Sequence, residues 1–307
     1  MGEGLELPDL FPGFATQRIS AGGTDIHMRI GGVGPPLLLI HGYPQSHAMW
    51  HRVAPELAKH HTLIIPDLPG YGQSSIPPLS ANHAAYSKRS MAKILVSVME
   101  TLGHTRFAVV GHDRGGRVSY RMALDHPERI ERIAVLDILP TLEYWQRIDR
   151  AFALKIYHWA FLAQPAPFPE NMIANAPRAF LDHTLASWTG DKSLASFSEE
   201  ALAHYHAFFE QSDRIAATCE DYRAGAAIDV DHDAADQEQG RKIKAPLLAV
   251  WGNMGIAQGA ETPLDTWARW AEDLRGKGLD GGHFVAEENP GALLAELLPF
   301  MTSRGGD

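Results

Sequence analysis

The chain of 307 residues contains a single cysteine, Cys219, so it has no internal disulfide framework and no cysteine-based metal cluster. It also lacks an excess of basic charge, because 27 lysines and arginines stand against 37 aspartates and glutamates, a net charge of −10. A chain this acidic has no electrostatic reason to bind nucleic acid or an anionic membrane. No hydrophobic run is long enough to span a membrane, and the start MGEGLELPDLFPGF lacks the features of a signal peptide. We therefore expect a cytoplasmic protein.

Short apolar runs bounded by glycine and proline recur along the chain. They are Leu37–Ile40, Leu63–Ile65, Phe107–Val110, Ile133–Leu136 and Leu247–Val250, with Lys277–Leu279 as a further strand candidate. Such runs are typical of strands that are buried on both faces of a parallel sheet. Longer patterned segments between them indicate helices at Ser90–Leu102, Arg114–Asp125 and Ala292–Leu298. This alternation predicts an α/β fold with a mostly parallel sheet flanked by helices, and Gln17–Ile30 predicts an antiparallel hairpin at the sheet edge.

The pattern changes after the sixth predicted strand. About a hundred residues carry no clear strand signal and are rich in aromatic side chains, and the strand pattern resumes at Leu247. We interpret this stretch, residues 140–244, as a helical cap that is inserted into a core formed by residues 1–139 and 245–307. A second independent domain is less consistent with the return of the strand pattern.

Polar residues follow the predicted strands. They are His41, Asp67, Asp113, Asp137, Trp251 and His283. Ligands of open parallel sheets bind at the carboxyl ends of the strands, so these side chains are expected to converge on one edge of the sheet. The cap leaves from the same edge and could cover the site.

The stretch Gly111-His112-Asp113-Arg114-Gly115 fits a strand–turn–helix motif that presents a nucleophile, here an aspartate. A carboxylate can displace a leaving group from an sp³ carbon, which leaves an ester that water must cleave. A histidine can activate that water, and a second acid can orient the histidine. Asp137 and His283 follow Asp113 in the order that this motif predicts. Taken singly, Asp113 could instead be a helix N-cap and His283 an ordinary loop histidine.

Four motifs resemble those of one enzyme family. They are His41-Gly42-Tyr43-Pro44, Asp67-Leu68-Pro69-Gly70-Tyr71-Gly72, Gly111-His112-Asp113-Arg114-Gly115-Gly116-Arg117 and Leu136-Asp137-Ile138-Leu139-Pro140. They are similar to those of the α/β-hydrolase dehalogenases and, more narrowly, of the fluoroacetate (haloacetate) dehalogenases. The resemblance extends from about Leu10 to Phe300 and implies an α/β-hydrolase fold. It also implies hydrolytic dehalogenation of a small haloacid, with no metal and no organic cofactor, and a homodimer.

The resemblance implies a role for each candidate residue. Asp113 would be the nucleophile, His283 the base and Asp137 its acid; Arg114 and Arg117 would bind the substrate carboxylate; His158, Trp159 and Tyr222 would bind the halide; Trp188 would line the pocket; and the backbone N–H groups of Tyr43 and Arg114 would form an oxyanion hole. Two cations in the first turn of a helix oppose its dipole, which favours a functional reason for them. The structural alternatives are an Asp113–Arg117 ion pair and packing roles for His158 and Trp188.

Three other functions remain open at this point. An epoxide hydrolase would use the same triad and would need tyrosines to protonate the epoxide, for which Tyr157, Tyr205 and Tyr222 are available, but the arginine pair has no clear task with a neutral epoxide. A haloalkane dehalogenase leaves the arginines equally unexplained. A non-catalytic receptor built on this fold would tolerate loss of a triad member, and none is lost here.

Overall fold

The computed structural model describes residues 7–255 and 261–303. These residues form one eight-stranded sheet. Its strands are β1 (Ala15–Ala21), β2 (Thr24–Gly32), β3 (Pro36–Ile40), β4 (Thr62–Pro66), β5 (Phe107–His112), β6 (Ile130–Leu136), β7 (Leu247–Gly252) and β8 (Leu274–Leu279). Their order across the sheet is β1-β2-β4-β3-β5-β6-β7-β8. β2 pairs antiparallel with β1 and β4, and every other pair of neighbours is parallel.

The described residues also form fourteen α-helices. They are α1 (Ala54–Leu57), α2 (Lys88–Thr101), α3 (Arg114–Asp125), α4 (Thr141–Gln146), α5 (Arg150–Lys155), α6 (Tyr157–Leu162), α7 (Phe168–Ala174), α8 (Pro177–Trp188), α9 (Glu199–Phe209), α10 (Ser212–Ala226), α11 (Ile228–Glu238), α12 (Pro263–Trp267), α13 (Val285–Glu288) and α14 (Pro290–Thr302), with 3₁₀ turns at His47–Trp50 and Ala81–Tyr86. Helices α4 to α11 lie between β6 and β7. None of the described helices is long and apolar enough to cross a membrane.

The central strands are buried on both faces, as their short apolar runs predict. All six residues of β5 are buried, as are the four apolar residues of β3. A strand covered on both sides gains from apolar side chains at every position, which removes the alternating pattern of a half-exposed strand. The predicted fold class, an α/β-hydrolase fold with a mostly parallel sheet flanked by helices, is confirmed.

The predicted hairpin is also present, as β1 and β2 joined through Gly22 and Gly23. Both glycines have positive φ angles, of 58° and 78°, which explains why this turn takes glycine. The strands β5 to β8 are each longer than their apolar runs, because polar or glycine residues continue the ladder at their ends.

Candidate active site

Asp113 occupies a sharp turn between β5 and α3. Its φ of 47° and ψ of −116° lie in a region that non-glycine residues rarely adopt, and such strain is concentrated at functional sites. Two glycines make the turn possible. A Cβ on Gly111 would lie 2.3 Å from the Ser119 hydroxyl. A Cβ on Gly115 would lie 2.3 Å from the carbonyl oxygen atoms of Ile40 and His41, at the end of β3. The turn therefore holds the Asp113 carboxylate at the carboxyl edge of the sheet.

The Asp113 side chain does not cap helix α3. It makes no capping hydrogen bond; instead its Oδ1 accepts the backbone N–H of Tyr43 at 2.8 Å. The loop that carries Tyr43 can come this close because Gly42 has no side chain, since a Cβ there would lie 2.4 Å from the Cβ of Asp113. One carboxylate oxygen is thus fixed, and Oδ2 faces His283.

His283 lies between the two carboxylates. Its Nδ1 donates to Asp137 Oδ2 at 2.6 Å, and its Nε2 lies 3.8 Å from Asp113 Oδ2. Asp137 is held in turn by the backbone N–H of Gly252, which donates to its Oδ1 at 3.0 Å. His283 Nε2 is buried and has no hydrogen-bond partner among the described residues. The three residues are therefore ordered Asp137–His283–Asp113 in space, with the free nitrogen toward Asp113.

The charges around Asp113 and His283 act on both pKa values. Burial alone would raise the pKa of Asp113, but the positive charges of His283, Arg114 and Arg117 outweigh burial and lower it. Burial would lower the pKa of His283, but the hydrogen bond and charge of Asp137, together with the charge of Asp113, raise it above its ordinary value. Asp113 is accordingly ionised at neutral pH, as a nucleophile requires.

Arg114 is fully buried and is held by a residue that sequence analysis did not single out. Its Nε and Nη2 donate to the carboxylate of Asp221 at 3.1 and 2.8 Å, and Nη2 also donates to the Asp221 carbonyl oxygen. Lys88 forms a second ion pair with the same carboxylate. The resemblance implies that Arg114 binds a substrate carboxylate, but Asp221 of helix α10 already balances the charge of Arg114 within the chain. Arg114 Nη1 remains buried with no partner in the described part of the chain.

Arg117 does not pair with Asp113, so the local ion-pair interpretation is wrong. Its Nη1 donates to the Leu139 carbonyl oxygen at 2.9 Å and to the Thr141 hydroxyl at 3.1 Å. The guanidinium carbon lies 4.4 Å from the ring centre of Trp159. Arg117 Nε, like Arg114 Nη1, is buried without a partner among residues 7–255 and 261–303.

His158, Trp159 and Tyr222 come together although 49 residues separate the end of α6 from the start of α10. The Tyr222 ring lies edge-on to the His158 ring at 5.6 Å and to Trp159 at 6.0 Å. Burial lowers the pKa of His158 to about 3, so its ring is neutral at ordinary pH. His158 Nδ1 and the Tyr222 hydroxyl are both buried and lack hydrogen-bond partners among the described residues. Trp188 packs on the His158 ring at 4.3 Å.

A cavity of about 300 Å³ opens onto Asp113. Asp137, His158, Trp159, Trp188 and His283 also line it. Arg114, Arg117, Tyr43 and Tyr222 lie behind this lining, and their contacts connect them to it. The Arg114 guanidinium carbon, for example, lies 4.3 Å from the ring centre of Tyr222. Six of the ten predicted site residues therefore line the cavity, and the other four contact this lining.

Two further residues support the site. The Nε2 of His112, whose pKa burial lowers to about 3, lies 2.9 Å from the His283 carbonyl oxygen, which fixes the loop that carries the base. Gly225 lies against Arg114, since a Cβ there would be 2.8 Å from Nη2. His112 was visible in the motif, but only its contact with a distant residue reveals its role. No sequence signal distinguishes Gly225.

The three tyrosines that could serve an epoxide hydrolase differ from one another in their position relative to the cavity. Tyr205 donates its hydroxyl to Glu287, accepts from Gln45 Nε2 and does not line the cavity at Asp113. Tyr157 lines the cavity and Tyr222 lies behind it.

Of the described residues, only His27, His47 and Asp67 bring three possible metal ligands together. Asp67 Oδ1 accepts the backbone N–H of His47 at 2.8 Å, and its Oδ2 accepts that of Gln73 at 2.9 Å. The Nδ1 atoms of both histidines lie within hydrogen-bond distance of the same carboxylate. Nitrogens that donate to a carboxylate offer no lone pair to a metal, so the geometry is that of a hydrogen-bonded junction between β2 and the loops after β3 and β4.

Known proteins share this architecture. A family model of the α/β-hydrolase fold matches residues 35–290. A fluoroacetate dehalogenase from Burkholderia sp is 41% identical over 293 residues, which cover 95% of each chain. A soluble epoxide hydrolase from Corynebacterium sp. (strain C12) is 31% identical over 91% of this chain and 94% of its own. The solved structure of a candidate α/β hydrolase from Nostoc sp PCC 7120 superposes with a TM-score of 0.92 at 44% identity, covering 95% of this chain and 99% of that one.

Proposed function

Because the chain belongs to the α/β-hydrolase family, we propose that it is a hydrolase of carbon–halide bonds that converts haloacetates to glycolate and halide. Fluoroacetate is the substrate that its relative from Burkholderia sp suggests. A haloacetate has an anionic end, an sp³ carbon and a leaving halogen, and the site offers a different group to each.

The observation that carries this proposal is the set of unpaired polar atoms next to Asp113. Arg114 Nη1 and Arg117 Nε are donors without partners among the described residues, and they suit a carboxylate. His158 Nδ1 and the Tyr222 hydroxyl are likewise unpaired, and they suit a halide. Buried polar groups are normally paired. A ligand that forms hydrogen bonds with these four atoms, close to the Asp113 carboxylate, would pair them.

In the first step, Asp113 Oδ2 attacks the carbon that carries the halogen. A C–O bond forms as the C–halogen bond breaks, and the halide leaves with the bonding electrons. Donors from His158, Trp159 and Tyr222 would stabilise the charge that develops on the halogen. Oδ1 keeps its hydrogen bond from Tyr43 and becomes the carbonyl oxygen of the ester.

In the second step, water attacks the carbonyl carbon of the Asp113 ester while His283 Nε2 accepts a proton from the water. The N–H of Tyr43 stabilises the resulting oxyanion. When this intermediate collapses, the ester C–O bond breaks, His283 returns the proton to the glycolate oxygen, and the Asp113 carboxyl group loses its own proton to water. Ester formation removes the negative charge of Asp113, which is one of the causes of the raised His283 pKa. The pKa of His283 therefore falls when the ester forms, which favours the neutral base at the step that needs it.

Release of fluoride from fluoroacetate, measured with an ion-selective electrode, tests the proposal. The wild-type chain should release fluoride and Asp113→Ala should not. Styrene oxide and other epoxides are tested beside it. Faster epoxide opening than defluorination would favour the epoxide hydrolase, for which Tyr157 and Tyr222 remain available as proton donors. Binding without turnover of either substrate would favour a receptor.

We also propose that residues 140–244 act as a cap on a core of residues 1–139 and 245–307. Helices α5, α6 and α8, which carry cavity-lining residues, all fall within this stretch. The outer limits of the core, residues 1 and 307, lie outside the described residues. A homodimer and a cytoplasmic location stay predictions.

A further inference from the structure

The cavity has more room than a haloacetate needs. A haloacetate has five heavy atoms, whereas cavities from about 300 Å³ upward accommodate considerably larger ligands. Asp113, His158 and Trp159, the residues proposed to act on the haloacetate that line the cavity, are all buried. Leu154, Tyr157 and Met254 also line the cavity and are exposed, so they mark its mouth.

Two lysines, Lys155 and Lys192, also line the mouth. Lys155 Nζ donates to the Gly255 carbonyl oxygen, and Lys192 Nζ donates to that of Ser187 at 2.9 Å. Neither ammonium group forms a salt bridge with a carboxylate in the part of the chain that the structure describes, although the charge of Asp137 acts on Lys155. In a chain with a net charge of −10, two neighbouring cations without acidic partners are unexpected.

The turn that carries Lys192 is fixed in a conformation that lysine rarely adopts. Its φ of 58° lies in the left-handed region, and the turn around it is held by Thr189, whose hydroxyl donates to the Ser193 carbonyl oxygen at 2.9 Å. The N–H of Gly190 donates to Glu288, which also accepts the N–H of Gly282 beside His283. The turn is therefore tied to the loop of the catalytic histidine, and Lys192 is held at the mouth at a cost in backbone strain.

We propose that Lys155 and Lys192 form a second anion subsite, so that the cavity accepts 2-halogenated dicarboxylic acids. Arg114 and Arg117 bind the carboxylate next to the halogenated carbon, and the lysines bind the distal carboxylate. This inference rests on the proposed function and names a substrate class for it.

For 2-chlorosuccinate the reaction balances without a further reactant. An Asp113 oxygen forms a bond to C2, and chloride leaves with the electrons of the broken C–Cl bond. Water then cleaves the ester, which yields 2-hydroxysuccinate and a proton and restores the Asp113 carboxylate.

The test compares 2-chlorosuccinate with 2-chlorobutyrate, which has the same length and a methyl group in place of the distal carboxylate. Chloride release gives kcat/KM for both acids and for chloroacetate. The wild-type chain should prefer chlorosuccinate to chlorobutyrate about five- to tenfold at low ionic strength, as expected of two partly exposed ion pairs. The double variant Lys155→Met, Lys192→Met should lose that preference and keep its activity on chloroacetate. The double variant Lys155→Arg, Lys192→Arg keeps both positive charges and should retain the preference.

Lys242→Met is the matched control, because Lys242 is exposed and its Nζ also donates only to a backbone carbonyl, that of Ala268. It should leave the preference unchanged. Equal losses on all three acids in the double methionine variant would mean that the lysines merely attract anions, which overturns the subsite.

Calorimetry with succinate and butyrate, which cannot react, separates the two proposals. Succinate should bind the wild-type chain several-fold more tightly than butyrate, and the double methionine variant should abolish the difference. Equal binding of both acids together with turnover of chloroacetate overturns the subsite alone. Absence of chloroacetate turnover overturns the proposed function and, with it, the substrate class.

Discussion

The Tyr222 hydroxyl is a buried donor without a partner in the described part of the chain, and it lies against His158 and Trp159. Burial raises its pKa well above the ordinary value, so it stays protonated and able to donate. Fluoride concentrates more charge than chloride and depends more on such a donor. Tyr222→Phe should raise the defluorination barrier by roughly 1–3 kcal/mol and the dechlorination barrier by clearly less.

The measurement is kcat/KM for fluoroacetate and chloroacetate on both proteins. Tyr157→Phe, which removes a hydroxyl from the cavity lining, is the control and should leave the ratio of the two rates unchanged. A constant ratio in Tyr222→Phe as well would rule out a halide contact.

A second prediction concerns the binding of the substrate carboxylate by Arg114. Lysine at this position keeps the charge but loses the fork that reaches both Asp221 and a substrate carboxylate. Arg114→Lys should therefore raise KM for chloroacetate at least tenfold and change the rate with neutral chloroacetamide little. Chloroacetate and chloroacetamide kinetics on the same preparation decide this, since equal losses on both substrates would make Arg114 purely structural.

The residues of the candidate site could be predicted from the sequence, but the residues that hold them by hydrogen bonds and ion pairs could not. Asp113, Asp137 and His283 could be predicted because each follows a strand and the glycines mark the turn. Asp221 could not, because an aspartate in a helix gives no sign that it will meet Arg114 and Lys88 from two other helices. Its role emerges only from the packing of α10 against the core.

At the scale of elements, α3 depends on the close approach of its first turn to β3. A Cβ on Gly115 would lie 2.3 Å from two backbone oxygens, which cannot move without disturbing the sheet. Gly115→Ala should destabilise the fold by about 1–3 kcal/mol and reduce activity further by displacing Asp113.

Gly291 is the matched control for this substitution, since it also occupies the second position of a helix and a Cβ there meets nothing within 4 Å. Denaturant unfolding should show Gly291→Ala to be neutral or slightly stabilising. Similar stabilities of the two variants would contradict a tightly packed turn.

The helix α3 was predicted with its observed limits, Arg114–Asp125, because glycines mark its start and an apolar pattern fills it. The helices from α4 to α11 were predicted only as a group. Several are one or two turns long, such as α5 and α6, which are separated by Ile156 alone. Helices this short are defined by tertiary packing more than by propensity, so the sequence pattern could not locate their ends.

At the scale of the whole molecule, Glu287 links helix α13 of the core to helix α9, which lies between β6 and β7 in the chain. It is fully buried in α13 and accepts the hydroxyl of Tyr205 from α9 and the amide of Gln45. Burial raises its pKa to about 8. The folded chain therefore holds a proton that the unfolded chain releases near pH 4.5, and this contribution to stability is lost as pH rises from about 4.5 to 8.

Glu287→Gln keeps an acceptor for Tyr205 and removes the titration. Relative to the variant, the wild-type chain should lose on the order of 3–5 kcal/mol of unfolding free energy between pH 4.5 and pH 9. Urea unfolding at several pH values measures this difference, with Glu296→Gln as the control, because Glu296 is only half-buried and pairs with Lys277. Parallel pH profiles of wild type and Glu287→Gln would mean that Glu287 is ionised in the folded chain.

The covalent ester on Asp113 is the central claim, and it can be observed directly. His283→Ala removes the base for ester hydrolysis and leaves Asp113 and its Tyr43 hydrogen bond in place. After incubation of this variant with fluoroacetate or chloroacetate, mass spectrometry should find one added carboxymethyl group on the peptide that contains Asp113, in equal amount to the halide released. Release of halide in a single turnover with an unmodified Asp113 peptide would contradict the account.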